Sequence, residues 1–337
     1  MAWYNDRGKA SESVLCTKVQ LRRNLSAYPF PVALEPTSAN EVLQQLSPPL
    51  EALGFRKINF PDISAIMATS YVEKHYASPA FASAGGPRAL LLQEKPDIAV
   101  TLCGEDHLRI CCILPGLDPR EAFSHASEIE RVLDGEAELA FDPELGYLTQ
   151  SPADLGTGLS VSVMLFLPAL SESLCIGSLA SHLGKLGLSL RGGFGEGVSA
   201  SCGLFELSNR ATLGKEEGEI LSLVEEVALQ ILEREENARR TIRKEPLDRL
   251  TDRIRRSEAI LRSALLISSE EFLRLFADVR LGIALGIIRG ITYEQLSTLL
   301  VEGMPATLTL SSDTTPRSEH ARDRLRAQRI QALLHEA

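Results

Sequence analysis

The stretch Gly-Glu-Asp-His-Leu-Arg at residues 104–109 is the first part of the chain whose residue types suggest chemistry. It places Glu105, Asp106, His107 and Arg109 at the end of an apolar run. A carboxylate beside a cation can accept a proton from a substrate while the cation holds an anionic group. The same residues are also typical of a solvated turn between two strands, because loops lie at the surface and carry charge.

A second candidate is the glycine-rich stretch at residues 191–197, which holds one cation and one carboxylate. As a bare pattern it is more often an ordinary turn than a phosphate loop. No Walker loop is present, since Gly184-Lys185 is followed by leucine and lacks the upstream glycine. If the chain binds ATP, side chains must neutralise the phosphates. The stretch around His75 is also compatible with a surface loop.

Composition predicts an acidic globular protein, with a net charge of −10 and a pI near 5.3 over 337 residues. This charge argues against broad binding to nucleic acid or to an anionic membrane. The six cysteines lack CxxC spacing, so neither a metal site nor a disulfide framework is expected. The beginning of the chain is polar, and no stretch is apolar enough for a membrane span. We therefore expect a cytoplasmic protein.

The first two thirds of the chain mix strand-like and helix-like patterns. Apolar runs bounded by turn residues predict strands at 65–72, 97–104, 107–116, 159–170 and 199–209, and helical stretches are predicted at 122–133 and 172–186. Interleaved strands and helices indicate an α+β or an α/β sheet domain, and the spacing alone does not decide between them.

The last third has a different pattern, with apolar residues at helical spacing from Lys215 onward. Further helical segments follow at 247–266, 269–290 and 292–303, and a Ser/Thr/Pro-rich connector at 308–319 precedes a basic helix at 321–334. The sequence therefore predicts two domains, residues 10–245 with a sheet and residues 246–337 with helices alone.

Five segments, taken together and in order, resemble the ATP:guanido phosphotransferase (guanidino kinase) family: residues 17–31, 72–79, 104–110, 141–170 and 190–217. The helical segments 252–261 and 277–290 are similar to bacterial protein-arginine kinases of the McsB type. The tail Arg-Asp-Arg-Leu-Arg-Ala at 322–327 resembles the RDxxRA phosphoarginine-binding motif of those kinases.

The resemblance implies an α+β fold, in which a mainly antiparallel sheet flanked by helices forms a catalytic domain and an all-α dimerisation domain follows. It implies transfer of the ATP γ-phosphoryl group, with Mg²⁺, to arginine side chains of proteins. It also implies a homodimer, marking of clients for the ClpC-ClpP protease, and stimulation by a zinc-binding McsA-like activator.

The resemblance also assigns roles to individual residues. It implies that Glu105 is the catalytic base and that Glu196 clamps the guanidinium. It places ATP binding at Lys18, Gln20, His75, Arg109, Ser160, Met164, Arg191 and Gly195, and phosphoarginine binding at Arg322, Asp323, Arg326 and Ala327.

Several residues depart from the family pattern. Lys18, Gln20 and Ser160 stand where the family has arginines, Gly104 stands where it has a glutamate, and Ser151, Ala153 and Asp154 alter a Cys-Pro-Thr-Asn stretch. Lysine keeps charge without the bidentate fork, while glutamine and serine lose the charge. Losing two or three such contacts predicts a reaction slower by about 10³-fold. Arg22 or Arg23 is a candidate replacement cation.

Two alternatives to an active protein-arginine kinase follow. A non-catalytic adaptor would bind phosphoarginine through Arg322 and Asp323, with Arg326 also on the phosphate. A kinase of free guanidino metabolites is the other alternative, although the specificity domain of those enzymes has no counterpart in this sequence.

Overall fold

An eight-stranded antiparallel sheet runs through the computed structural model, which describes residues 2–173, 175–193, 202–244, 247–312 and 318–335. Its strands are β1 (Val14–Arg23), β2 (Arg56–Asn59), β3 (Ala89–Glu94), β4 (Asp97–Leu102), β5 (Leu108–Pro115), β8 (Leu159–Phe166), β9 (Leu188–Gly192) and β10 (Leu204–Asn209). Their order is β2-β3-β4-β5-β1-β8-β10-β9, so β1 is central although it comes first. A separate hairpin is formed by β6 (Phe141–Asp142) and β7 (Gly146–Tyr147).

Helices flank the sheet and make up the last third of the chain. Those before residue 245 are α1 (Pro36–Ala52), α2 (Ala65–Glu73), α3 (Pro79–Ser83), α4 (Pro119–Asp134), α5 (Pro168–Glu172), α6 (Ile176–Lys185) and α7 (Glu217–Ile242). Those after it are α8 (Asp248–Ser263), α9 (Ser269–Ala284), α10 (Tyr293–Glu302), α11 (Pro305–Leu310) and α12 (Glu319–His335). None of the described helices is both long and apolar enough to cross a membrane.

The two faces of the sheet have different partners because successive side chains of a strand point to opposite sides. Val19 and Leu21 of β1 belong to a core that includes residues of α1, α4 and α7. Cys16 on the other face belongs to a second core with residues of α9 and α10. The C-terminal helices thus cover one end of that second face. Lys18, Gln20 and Arg22 of β1 lie on this same face.

Arg280 of α9 joins the C-terminal helices to the sheet. Its side chain is fully buried, donates to the carbonyl of Ser11, and stacks on Phe166 of β8 at 5.3 Å and on Tyr293 at 4.9 Å. Burial lowers the pKa of Arg280 to about 10. The two rings stabilise the buried cation through their negative faces, so this contact fixes the position of α9 against the end of β8.

The predicted α+β class is confirmed, and the strand pairing shows the sheet to be antiparallel. The long helix after Lys215 and the helical last third are also confirmed. The predicted strand at 65–72 is wrong, because these residues form α2. Ser64 caps this helix by accepting from the Met67 N–H at 3.3 Å. Ser70 contacts Thr307 of α11 at 3.0 Å, a tertiary contact that the local apolar run does not reveal.

The predicted connector at 308–319 is shorter than expected. Its first residues lie within α11 and its last lies within α12, while residues 313–317 are outside the described part of the chain. The helix predicted at 172–186 is divided between the end of α5 and α6.

A buried ion pair in α7 yields a test of stability. Glu235 accepts from the backbone N–H groups of Ala169 at 3.1 Å and Leu170 at 2.9 Å, and from Arg239 at 2.8 Å. Glu235→Ala leaves Arg239 as a buried cation without its partner, so urea unfolding should show a loss of about 3–5 kcal/mol. The neighbouring Glu236→Ala is the control. Its pair with Arg240 is exposed, and we expect a loss of about 0.5 kcal/mol or less. Equal losses for the two variants would contradict the assignment.

Candidate active site

Six of the predicted nucleotide-binding residues lie on one face of the sheet: Lys18, Gln20, Arg109, Ser160, Met164 and Arg191. Backbone pairing aligns them across the strands, with Gln20 opposite Ser160 and Glu206 of β10 opposite both Met164 and Arg191. Because the alternation of each strand is fixed by its buried apolar residues, this shared face follows from the register.

Lys18 is already paired with a carboxylate. Its Nζ lies 3.2 Å from Oε1 of Glu206, and both side chains are largely buried. Burial lowers the pKa of Lys18, but attraction to Glu206 and the hydrogen bond between them outweigh it and leave the pKa raised. The charge of Lys18 in turn lowers the pKa of Glu206. Both groups are therefore charged near neutral pH, and much of the charge of Lys18 is neutralised within the protein.

His75 lies against this pair. Together with Lys18, Glu206 and Met164 it lines a cavity of about 10 Å³, which is room for about one water. Its backbone φ is +63°, in the left-handed region. Burial, with the nearby charge of Lys18, lowers the pKa of His75 to about 3. The imidazole is therefore neutral at physiological pH and adds no charge to this face.

Arg22 lies on the same face as Gln20, two residues further along β1. Its Nη2 donates to Oε1 of Gln20 at 3.4 Å, and its Nη1 lies 3.3 Å from Oδ1 of Asp154. Asp154 ends the short 3₁₀ helix Pro152–Asp154. Asp154 therefore brings negative charge to this face, and Arg22 balances it.

Arg109 of β5 is directly opposite Arg22 in the antiparallel register. It is buried, and its Nε has no hydrogen-bond partner among the described residues. Like charges directly opposite on neighbouring strands are destabilising, and a buried N–H without an acceptor adds to the cost. The arrangement favours an anion beside these two arginines, which lie on the same face of the sheet.

Arg23 points to the opposite face and is fully buried there. It donates to Glu130 of α4 and to the carbonyl of Thr157 at 2.9 Å, and it stacks on Tyr147 at 3.5 Å. The suggestion that Arg23 replaces a missing arginine of the nucleotide site is therefore wrong, because the strand alternation directs it away from that face.

Glu105 lies in the turn between β4 and β5, held by Ser78. The hydroxyl of Ser78 donates to Oε1 of Glu105 at 2.6 Å and accepts from the Phe81 N–H at 2.9 Å, so it also caps α3. Oε2 of Glu105 is buried and has no hydrogen-bond partner in the described part of the chain. This oxygen can accept an N–H from a substrate without first breaking a contact.

The next two residues of the motif anchor this turn. Asp106 accepts from the side-chain amide of Asn24 at 2.6 Å and from the Gln150 N–H at 2.8 Å. His107 accepts from the Leu25 N–H through Nδ1 at 3.1 Å, which leaves Nε2 to donate to the Pro29 carbonyl at 2.9 Å. Burial raises the pKa of Asp106 and lowers that of His107. Both residues hold the turn in place and leave Glu105 as its available carboxylate.

The departure at Gly104 has a steric reason. A Cβ at this position would lie 2.7 Å from Cδ2 of Phe81, closer than such atoms approach. Phe81 is fully buried, so any side chain at 104 requires this ring to move. Glycine here therefore accompanies the packing of α3 against the turn that carries Glu105.

The remaining predicted residues are placed less completely. Arg191 is exposed on the edge strand β9, and Glu196 and Gly195 lie outside the described residues. Ser160 is half-buried beside Gln20, where neither supplies a charge. The structure thus brings Lys18, Gln20, His75, Met164 and Ser160 together with Arg22 and Arg109, and leaves the role of the 194–201 segment as a prediction.

The four residues of the basic tail are not equally accessible. Arg326 is buried and donates to the Gly303 and Ile267 carbonyls at 2.9 and 2.6 Å, to Ser269 at 2.7 Å and to Asp323 at 2.8 Å. Ala327 is also buried, whereas Arg322 and Asp323 are half-buried. In this arrangement Arg326 anchors α12 to the segments that contain Ile267, Ser269 and Gly303. The prediction that Arg326 binds a phosphate therefore requires these contacts to break.

The described residues contain no group of three or more His, Cys, Asp or Glu side chains that could hold a metal ion. Mg²⁺ is usually bound through one or two carboxylates together with substrate phosphates and waters. The carboxylate of Glu206 on this face suits such a shared site, although it is paired with Lys18 here.

Comparison with known proteins identifies the family. The model for the C-terminal catalytic domain of ATP:guanido phosphotransferases matches residues 39–238, and the model for the protein-arginine kinase McsB C-terminal domain matches residues 247–337. The protein-arginine kinase of Moorella thermoacetica is 35% identical over 341 residues, covering 98% of this chain and 97% of that protein. The chain belongs to the protein-arginine kinase family. The protein-arginine kinase of Syntrophomonas wolfei is 39% identical, covering 91% of this chain and 88% of that protein.

Solved structures of more distant guanidino kinases share the fold. Lombricine kinase is 20% identical with a TM-score of 0.60, covering 67% of each chain. The duplicated taurocyamine kinase of Schistosoma mansoni is 20% identical with a TM-score of 0.62, covering 77% of this chain and 38% of its own. This likeness supports the antiparallel fold of the catalytic part of the chain. The use of ATP by this protein follows from its membership of the ATP:guanido phosphotransferase family.

Sequence reasoning missed two residues of this site. Glu206 went unnoticed because nothing in the sequence pairs a residue of β10 with Lys18, 188 positions earlier. Ser78 lies in the segment 72–79, and the family resemblance assigns it no role. A signal for Ser78 existed, since serine before proline is a common start of a helix and therefore a candidate cap.

The low pKa of His75 predicts a pH dependence of stability. Between about pH 6.5, the unfolded value, and pH 3 the unfolded chain binds a proton that the native protein excludes, so stability falls as pH falls. In His75→Asn this contribution is absent, and asparagine tolerates a positive φ. Urea unfolding of both proteins at pH 7, 6 and 5 should show wild type losing more with each unit, approaching about 1.4 kcal/mol per unit in excess of the variant. Parallel curves would show that His75 titrates normally.

Proposed function

We propose that this protein transfers the γ-phosphoryl group of ATP to arginine side chains of proteins. Membership of the protein-arginine kinase family supports this activity. The observation that carries it is the carboxylate of Glu105, with one oxygen held by Ser78 and the other buried without a partner among the described residues. The same end of the sheet presents Arg109 and Arg22 to an anion.

The chemistry requires both features. A guanidinium group is a poor nucleophile because it is protonated and its lone pairs are delocalised, so a carboxylate must orient it and accept a proton as nitrogen attacks phosphorus. We assign this role to Oε2 of Glu105. We propose that Arg109, four residues further along, holds the transferred phosphoryl group. We also propose that Glu196 supplies a second carboxylate for the guanidinium group, and that Arg191 and Gly195 contact the phosphates of the nucleotide.

Phosphoryl transfer depends mainly on alignment and on neutralising charge. We propose that Glu206 would help to hold Mg²⁺ together with the nucleotide, and that the ion would supply neutralisation of phosphate charge. His75 and Met164 line the inner end of the polar face and are proposed to contact the nucleotide. Lys18, Gln20 and Ser160 line the same face with less positive charge than three arginines, so we expect a turnover lower than that of a fully cationic site.

The adaptor alternative receives less support from the structure. An adaptor does not need a carboxylate with a buried, unpartnered oxygen, and this protein has one in Glu105. Phosphoarginine binding is proposed as an additional property of Arg322 and Asp323, with Arg326 and Ala327 shaping their helix. Turnover of free arginine remains the test for the metabolite-kinase alternative.

The wider role is proposed from the family resemblance. It comprises a cytoplasmic homodimer formed by a helical domain at 246–337, a catalytic domain at 10–245, stimulation by an McsA-like activator, and delivery of phosphorylated proteins to the ClpC-ClpP protease. Acidic overall charge agrees with proteins, not nucleic acid, as the substrates.

The direct test is Glu105→Gln, which keeps the size of the side chain and removes the base. Purified protein is incubated with MgATP and an arginine-rich protein, and phosphoarginine is measured by phosphorus NMR and as acid-labile phosphate. We expect the rate to fall by about 10²- to 10⁴-fold, the usual contribution of a general base. Glu225→Gln is the control, since Glu225 pairs with Arg120 at the surface and its loss should leave the rate unchanged.

Two results would contradict the proposal. Wild-type protein that forms no phosphoarginine at saturating MgATP, with an activator added, is not a protein-arginine kinase. A Glu105→Gln variant within tenfold of wild type would show that another group takes the proton.

A further inference from the structure

Arg22 is a cation of the polar face that the family resemblance does not assign to the site. It lies two residues after Gln20, and the alternation of β1 places both side chains on the face that carries Arg109. Oε1 of Gln20 accepts from Nη2 of Arg22. An arginine at 22 therefore brings its guanidinium to the side of the residue at 20, where the family arginine is missing.

The contacts of Arg22 are longer than those of a firmly held arginine. Its atoms lie 3.4 Å from Gln20 and 3.3 Å from Asp154, whereas charge-assisted N–H···O bonds are typically about 2.7–2.9 Å long. Its side chain is 19% exposed, and its buried Nη1 has no hydrogen-bond partner among the described residues. By comparison, Arg326 makes four contacts of 2.6–2.9 Å and is buried. Arg22 can exchange its partners for phosphate oxygens at little cost.

The position of Arg109 supports the same conclusion independently. Arg109 faces Arg22 across the β1–β5 pair, and its buried Nε has no acceptor among the described residues. Asp154 is an ion-pair partner of Arg22, and no ion pair involving Arg109 is found in the described part of the chain. Of these two arginines, directly opposite each other in the β1–β5 register, only Arg22 has a carboxylate partner among the described residues. A phosphate oxygen set between them would satisfy both, since arginine forks match phosphate geometry.

Asp154 occupies the place of such an anion when no nucleotide is bound. Its loop is anchored separately, because Thr212 donates to the Leu155 carbonyl at 2.6 Å. The carboxylate can therefore release Arg22 while its loop stays in position.

We propose that Arg22 is a phosphate-binding residue which replaces the arginine missing at position 20, and that Asp154 is its internal counter-ion, displaced when the nucleotide phosphates bind. This inference rests on the proposed kinase function and specifies how its altered site still holds ATP. The ligand class is a nucleoside di- or triphosphate with its divalent cation.

The test is calorimetric titration of the full-length protein with MgADP, which binds without turnover. Arg22→Ala should weaken binding about 10- to 100-fold, as expected for loss of a hydrogen-bonded charge, and Arg22→Lys should weaken it less. Asp154→Asn should tighten binding by about 2- to 5-fold, because a competing anion is removed. Arg120→Ala, which removes a surface partner of Glu225, is the charge-matched control and should leave the affinity unchanged. Unfolding curves establish that each variant is folded.

The outcomes separate the inference from the proposed function. If Arg109→Ala weakens MgADP binding but folded Arg22→Ala binds within twofold of wild type, the kinase proposal stands and the role of Arg22 is refuted. Weaker binding by Asp154→Asn would refute the displacement of its carboxylate. If wild-type protein does not bind MgADP, the proposed function and this inference both fail.

Discussion

The antiparallel pairing of β1 with β5 and β8 is the constraint on which the rest of the structure depends. Its register is fixed by apolar residues such as Val19 and Leu21, which must face the helices. The same register sends Lys18, Gln20 and Arg22 to the opposite face and sets Arg22 against Arg109. Packing on one side of the sheet therefore determines the chemistry on the other, and a slip of one residue would exchange Arg22 with Arg23.

Charge on the polar face is balanced within the protein to an unusual degree for a nucleotide site. Lys18 pairs with Glu206 and Arg22 with Asp154, while Gln20 and Ser160 are neutral. Such pairs reduce the cost of burying cations before a ligand arrives, but they also compete with phosphate. The positive charge of Arg109 attracts phosphate, and the buried oxygen of Glu105 attracts a guanidinium group. The two substrates are therefore drawn to different residues of the site.

Sequence reasoning predicted what depends on local pattern and on recognised motifs. The α7 helix followed from apolar spacing, and the position of Glu105 in a turn followed from its motif. Features set by distant residues were missed. Residues 65–72 form a helix because Ser64 caps it and α11 packs on it, and Arg326 is buried by contacts with Ile267 and Gly303, far away in sequence. The alternation of β1 did contain the signal that separates Arg22 from Arg23, but it becomes visible only when the strand is recognised.

The most direct measurement is a crystal structure of the full-length protein with MgADP, nitrate in place of the transferred phosphoryl group, and an arginine-containing peptide. We expect nitrate or phosphate oxygens within about 3 Å of the guanidinium groups of both Arg22 and Arg109, as in ordinary charge-assisted hydrogen bonds. We also expect Asp154 to be withdrawn from Arg22, and the peptide guanidinium to lie on Oε2 of Glu105. Nucleotide bound away from this face, or bound there with the Arg22–Asp154 pair intact, would contradict these expectations.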